Sequence, residues 1–109
     1  MKIAIDAMGG DFAPAETIKG SIDSAHEYGI EPVFVGQESK IKAELSKHNI
    51  DGLSIDVVHT DEWLIEGEHP AYALRQKRNA SILLAVKLVK EGKVDAAVSA
   101  GPTGGAGLA

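Results

Sequence analysis

The stretch "MKIAIDAMGGDFAPAET", Met1 to Thr17, decides how the rest of the chain is read. Lys2-Ile3-Ala4-Ile5-Asp6 is apolar on both faces of an extended chain, as expected of a strand covered on each side within a parallel sheet. The run stops on Asp6, and two glycines and a second acid follow at Gly9-Gly10-Asp11. Pro14 then suits a first helical position, and Glu16 in the first turn complements the helix dipole. A strand that gives way to bare backbone and then to a helix start is the opening of a βα unit. The question is what the bare backbone serves.

Further along, Ile18, Ile22, Ala25 and the ring of Tyr28 recur at helical spacing, and Gly29 is a natural stop. Pro32 to Gly36 reads as a second short apolar strand. Ser39 is placed to cap a helix that carries Ile41 and Leu45 and ends near Asn49. Leu53 to Val58 alternates apolar and polar and reads as a third strand, followed by a polar stretch from His59 to His69. Pro70 is expected to open a short helical segment holding Tyr72, Ala73 and Leu74. In the helix expected from Ala80 to Glu91, apolar residues cover so much of the circumference that it is expected to be largely buried. Gly92 closes it, and Val94 to Val98 is the fourth strand, running into Ser99-Ala100-Gly101.

Strands that alternate with helices imply right-handed crossovers and a parallel sheet, so the fold class is α/β. At 109 residues the chain is expected to hold one domain at most, with residues 1–109 lying within it. The closing "GPTGGAGLA" stands where a further helix is expected, so the chain reads as the N-terminal part of a longer α/β domain.

Composition narrows the function classes. With 44% apolar and 25% charged residues the chain is an ordinary globular sequence, and its net charge of −5 argues against a nucleic-acid partner. The absence of cysteine excludes disulfides and thiolate metal sites and fits a reducing, cytoplasmic setting. No apolar stretch approaches the ~20 residues of a membrane span, and no signal peptide is read at the N-terminus. His26, His48, His59 and His69 lack metal-ligand spacing, so no metal is expected.

Ligands of an open parallel sheet bind outside the carboxyl ends of its strands. Both glycine clusters fall there, Gly9-Gly10 after the first strand and Gly101 with Gly104-Gly105 after the fourth. Two readings stand side by side: tight βα turns, or bare amides and helix N-termini that together hold phosphate or another compact anion. Neither cluster matches the dinucleotide or the phosphate-loop pattern. Asp11 is either a site carboxylate or a turn residue, and Asp6 is expected to bond the loop amides. Arg75, Lys77 and Arg78 form either a solvated face or a set of cations aimed at the anion or at an acidic partner. Trp63 and Leu64 either pack down or form a small apolar patch.

These residues also carry a family resemblance. "MKIAIDAMGGDFAP" and "ALRQKRNASILLAVKLVKEGKVDAAVSAG" resemble, in order and spacing, signatures of the bacterial phosphate acyltransferases of phospholipid synthesis, the PlsX type. The resemblance spans essentially the whole chain but only the N-terminal portion of the longer family sequence. It implies a three-layer α/β/α architecture with a mostly parallel sheet, similar to isocitrate dehydrogenases and phosphotransacetylases, in a homodimer. It implies phosphorolysis of acyl-(acyl carrier protein) by inorganic phosphate, without a cofactor. The acyl phosphate would pass to a downstream membrane glycerol-phosphate acyltransferase, from a cytoplasmic protein that can sit peripherally at the membrane. By matched position, Gly9, Gly10 and Asp11 form the first motif, and Ser99, Gly101, Thr103 and Gly104 the second. Arg75, Lys77 and Arg78 fall in the family's basic segment. The resemblance casts Asp11 and Thr103 as the reacting groups, Asp11 orienting or deprotonating phosphate and Thr103 binding it with its neighbouring amides.

The chain departs from the family's Ser-Ala-Gly-Asn-Thr-Gly-Ala at Pro102, which stands at the Asn position and removes both a side-chain amide and a backbone donor. "GGAGLA" replaces an apolar helix, and the isolated chain is therefore expected to be inactive. Two alternatives accompany this reading: a phosphotransacetylase-like subunit of an amino-acid reductase complex, and a non-catalytic module that binds an anion or a partner protein.

Overall fold

The computed structural model describes residues 1–9, 13–63, 71 and 75–99. Within them, β1 (Lys2–Asp6), β2 (Glu31–Gly36), β3 (Asp56–His59) and β4 (Ala96–Ser99) form one parallel sheet in the order β3-β2-β1-β4. The helices are α1 (Ala15–Tyr28), α2 (Glu38–Leu45) and α3 (Ser81–Lys90). From β1 to β3 the chain steps one way across the sheet, then returns over β2 and β1 to reach β4. Right-handed crossovers place α1 and α2 on one face and α3 on the other.

The core confirms that arrangement. Ile18 and Ile22 of α1 and Ile41 and Leu45 of α2 pack with Ile5 and Phe34, which face each other across the β1–β2 ladder. On the opposite face, Ala85 of α3 packs with Ala4, Val33, Val35 and Ala97. The two faces account for the apolar runs of β1 and β2, since each successive side chain meets a different helical layer.

Several expectations shift in detail. Tyr28 is 74% exposed and so does not join the buried stripe of α1. At 3.6 residues per turn it lies about 80° round the helix from Ile18, at the rim of the apolar face. Helix α1 ends as expected on Gly29, whose φ of 72° lets its amide bond the Ala25 carbonyl. Helix α2 begins at Glu38, so Ser39 lies inside its first turn rather than at its cap. The capping acceptor comes from β3: the Glu38 amide donates to His59 Nδ1 at 3.0 Å.

The third strand is Asp56–His59 rather than Leu53 to Val58. Leu53 and Ile55 do pack against the core, but from a segment outside the ladder. Helix α3 is less enclosed than its composition suggests, with Val86 and Val89 exposed. One sheet face covers only part of a helix's circumference, and here it takes up Ala85, Leu84 and Leu88. Trp63 is half-buried with Lys40 Nζ 5.6 Å from its ring centroid, whereas Leu64 lies outside the described residues. The helical segment expected after Pro70 also falls mostly outside them, at Tyr72, Ala73 and Leu74.

Candidate functional site

In this strand order the direction of travel reverses between β1 and β4, so their carboxyl ends flank the switch point where α/β proteins open a crevice for ligands. Asp6 and Ser99 are register partners there, each the last residue of its strand. Asp6 is only 3% exposed, which is unusual for a carboxylate unless its oxygens are satisfied. They are. Oδ1 accepts from the Met8 amide at 3.1 Å and from the Ser81 hydroxyl at 2.5 Å, and Oδ2 accepts from the Ser99 hydroxyl at 2.9 Å.

Ser81 reaches Asp6 because the chain before α3 is pinned against the end of β3. The Ser81 amide donates to the Glu62 carbonyl at 2.9 Å, Thr60 Oγ1 donates to the Asn79 carbonyl at 2.6 Å, and the Asn79 amide donates to Glu62 Oε2 at 2.9 Å. The same anchoring holds Lys77, whose Nζ donates to the Trp63 carbonyl at 3.0 Å. These bonds aim the first residue of α3 at the last residue of β1.

Of the residues singled out from sequence, Gly9 is buried just beyond Met8, and Ser99 is half-buried on the Asp6 carboxylate. Arg75 and Arg78 are exposed, and Lys77 is directed to Trp63 near the end of β3. Gly10, Asp11, Gly101, Thr103 and Gly104 lie outside the described residues, as does Pro102. Asp6 does bond a loop amide as expected, but its two serine partners were not read from sequence. They lie 75 and 93 residues away, and the only available hint was a charge at the end of an otherwise apolar strand.

A cavity of about 470 Å³ adjoins this point, bordered by Asp6, Ser99 and Thr17 and continuing along Ile3, Ile5 and Val98 between α1 and β4. Among the described residues, no group of three or more His, Asp or Glu side chains is arranged to hold a metal ion. None of their helices is long and apolar enough to cross a membrane.

The fold is thus a parallel α/β sheet with a satisfied buried carboxylate at its switch point, flanked by Gly9 and Ser99. The chain belongs to the family described as "Fatty acid synthesis protein", whose model matches residues 1–109. It is 49% identical over 104 residues to the phosphate acyltransferase of Dictyoglomus turgidum, covering 95% of this chain and 31% of that protein. It is 51% identical over 104 residues to that of Desulforamulus reducens, again covering 95% of this chain and 31% of the relative. With the Pelotomaculum thermopropionicum phosphate acyltransferase, identity is 49% over 106 residues, 97% of this chain and 31% of the other. The chain therefore spans about a third of the length of these curated relatives.

Proposed function

We propose that this chain forms the phosphate-handling part of a phosphate acyltransferase that converts acyl-(acyl carrier protein) and inorganic phosphate to acyl phosphate. The observation that carries the reading is the join at Asp6: one carboxylate ties the root of the Gly9-Gly10 segment to the root of the segment that runs from Ser99 to Gly104. Both segments start at the crevice, and each carries glycines in its sequence, a residue type whose bare backbone suits the approach of an anion. The similarity to phosphate acyltransferases supplies the reaction class.

In that reaction a phosphate oxygen attacks the thioester carbonyl carbon, the C–S bond breaks, and the carrier leaves as a thiol once its sulfur takes a proton. Charge grows on the carbonyl oxygen while a dianionic nucleophile is held beside it. Backbone donors fixed toward both anions supply the stabilisation, and orientation of phosphate against the thioester supplies the rest. In this reading Asp11 orients phosphate or takes its proton, and Thr103, Ser99 and the amides of Gly9, Gly10, Gly101 and Gly104 bind it. Arg75, Lys77 and Arg78 present positive charge toward an acidic substrate such as the carrier protein. The working protein is a cytoplasmic homodimer able to sit at the membrane surface and to hand its product to a membrane glycerol-phosphate acyltransferase.

The test is trapping of acyl phosphate with hydroxylamine, using acyl-(acyl carrier protein) and phosphate. It is run on this chain and on a hybrid in which the chain replaces the matching residues of the D. turgidum enzyme. The expected result is acyl hydroxamate from the hybrid and none from the chain alone. A folded hybrid without product overturns the reading.

A further inference from the structure

Three chain segments border the β1–β4 switch point: the bend after β1, the start of α3 and the end of β4. Each gives one hydrogen bond to the same side chain. The Met8 amide, the Ser81 hydroxyl and the Ser99 hydroxyl all donate to the Asp6 carboxylate, which is 3% exposed and has no cationic partner among the described residues. A buried carboxylate compensated by neutral donors alone is costly to keep, and an apolar residue would complete the β1 pattern more simply. Its geometry is suited to one thing that an apolar side chain cannot do. It accepts along several directions at once, so it fixes three separate backbones relative to one another.

We infer that Asp6, with Ser81 and Ser99, is a positioning clamp for anion binding: it sets the spacing between the Gly9 root and the Ser99 root, and references both to α3. The inference rests on the phosphate-acyltransferase reading and deepens it, since Asp6 is assigned no contact with phosphate. Its action passes through Gly9, one residue beyond Met8, and through Ser99, at which the second glycine-bearing segment begins. A shift of well under an ångström at either root spoils donors that must converge on one ion.

Inorganic phosphate titrated into the isotopically labelled chain, followed by amide NMR, reads this directly. Ser81→Ala, at a residue assigned no contact with phosphate, is expected to weaken phosphate about three- to tenfold, the size of one neutral hydrogen bond. Ser81→Thr, which keeps the hydroxyl, is expected to restore most of it. In the Ser81 variant the Gly9 and Ser99 amide resonances are expected to move, although neither residue was changed.

Asp6→Asn supplies a test of sign. Removing negative charge near an anion tightens binding if charge is all that matters, whereas loss of the clamp weakens it. Weakening supports the inference, and tightening overturns it. A wild-type response that Ser81→Ala leaves at the wild-type affinity overturns the clamp alone. A wild-type chain with no phosphate response overturns the phosphate-site reading and the clamp with it.

Discussion

A Cβ placed on Gly36 would lie 2.5 Å from Met8 Cγ and 2.8 Å from Met8 Sδ, with Ile41 Cδ1 at 3.3 Å. The last residue of β2 is thus packed directly beneath the side chain that precedes the Gly9-Gly10 bend. Gly36→Ala forces Met8 aside and is expected to destabilise by about 1–3 kcal/mol, as overpacking does. The distinguishing measurement is the Gly9 amide resonance, which moves if Met8 holds the bend and stays if the strain is absorbed at Ile41. A second residue-scale effect lies at Glu44. The hydrogen bond from Lys47 Nζ at 3.0 Å, aided by the Lys47 charge and by His48, holds the Glu44 carboxyl below its ordinary value. Because the folded-state value is the lower one, the associated stability is fully present above the ordinary carboxylate range and is lost as pH falls through the depressed value. Lys47→Ala is expected to return the Glu44 midpoint upward in a carboxyl NMR titration and to leave stability unchanged at neutral pH within the scatter of exposed pairs.

Helix α3 closes with paired bonds, the Lys93 amide to the Leu88 carbonyl and the Gly92 amide to the Val89 carbonyl, each 3.0 Å, around Gly92 at φ 72°. That backbone conformation favours glycine, so Gly92→Ala is expected to cost about 1 kcal/mol in denaturant unfolding. Gly20 gives the opposite sign. It sits inside α1 with nothing within 4 Å of an added Cβ, so Gly20→Ala is expected to stabilise by about 0.5–1 kcal/mol. At this scale the sequence was legible where one element carried its own signals. Lys2 to Asp6 and the Gly29 stop were read from local pattern and are as expected. The start of α2 was not, because its capping acceptor is His59, 21 residues away on another strand. The start of β3 was misplaced for a related reason: Leu53 and Ile55 have strand-like alternation and pack on the core, yet strand status depends on hydrogen bonds to β2.

At the scale of the molecule, Phe34 is the largest fully buried side chain among the described residues and lies in the core beneath α1 and α2. Phe34→Ala is expected to cost about 3–5 kcal/mol, a large share of the roughly 5–15 kcal/mol that holds a domain together. The measurement is the denaturation midpoint by circular dichroism, and a loss under about 1 kcal/mol would show that the α1–α2 layer contributes little. The two faces differ in this respect. Around α3, small residues such as Ala4, Ala85 and Ala97 set a close approach, and Val86 and Val89 remain exposed. Large-to-small change there has less buried volume to remove.

By itself the sequence determined the α/β class, the run of β1 into its glycines and the family to which the chain belongs, because each is written in contiguous residues or in motifs whose order survives without coordinates. Only the tertiary structure decided that Asp6 would be buried and that Ser81 and Ser99 would meet on its two oxygens. Those contacts span 75 and 93 residues, and they arise because the return crossover over β2 and β1 brings α3 and β4 back beside the first strand. Local pattern can propose a carboxylate at a strand end. Which donors surround it is settled by chain topology and packing, where no short stretch carries the information.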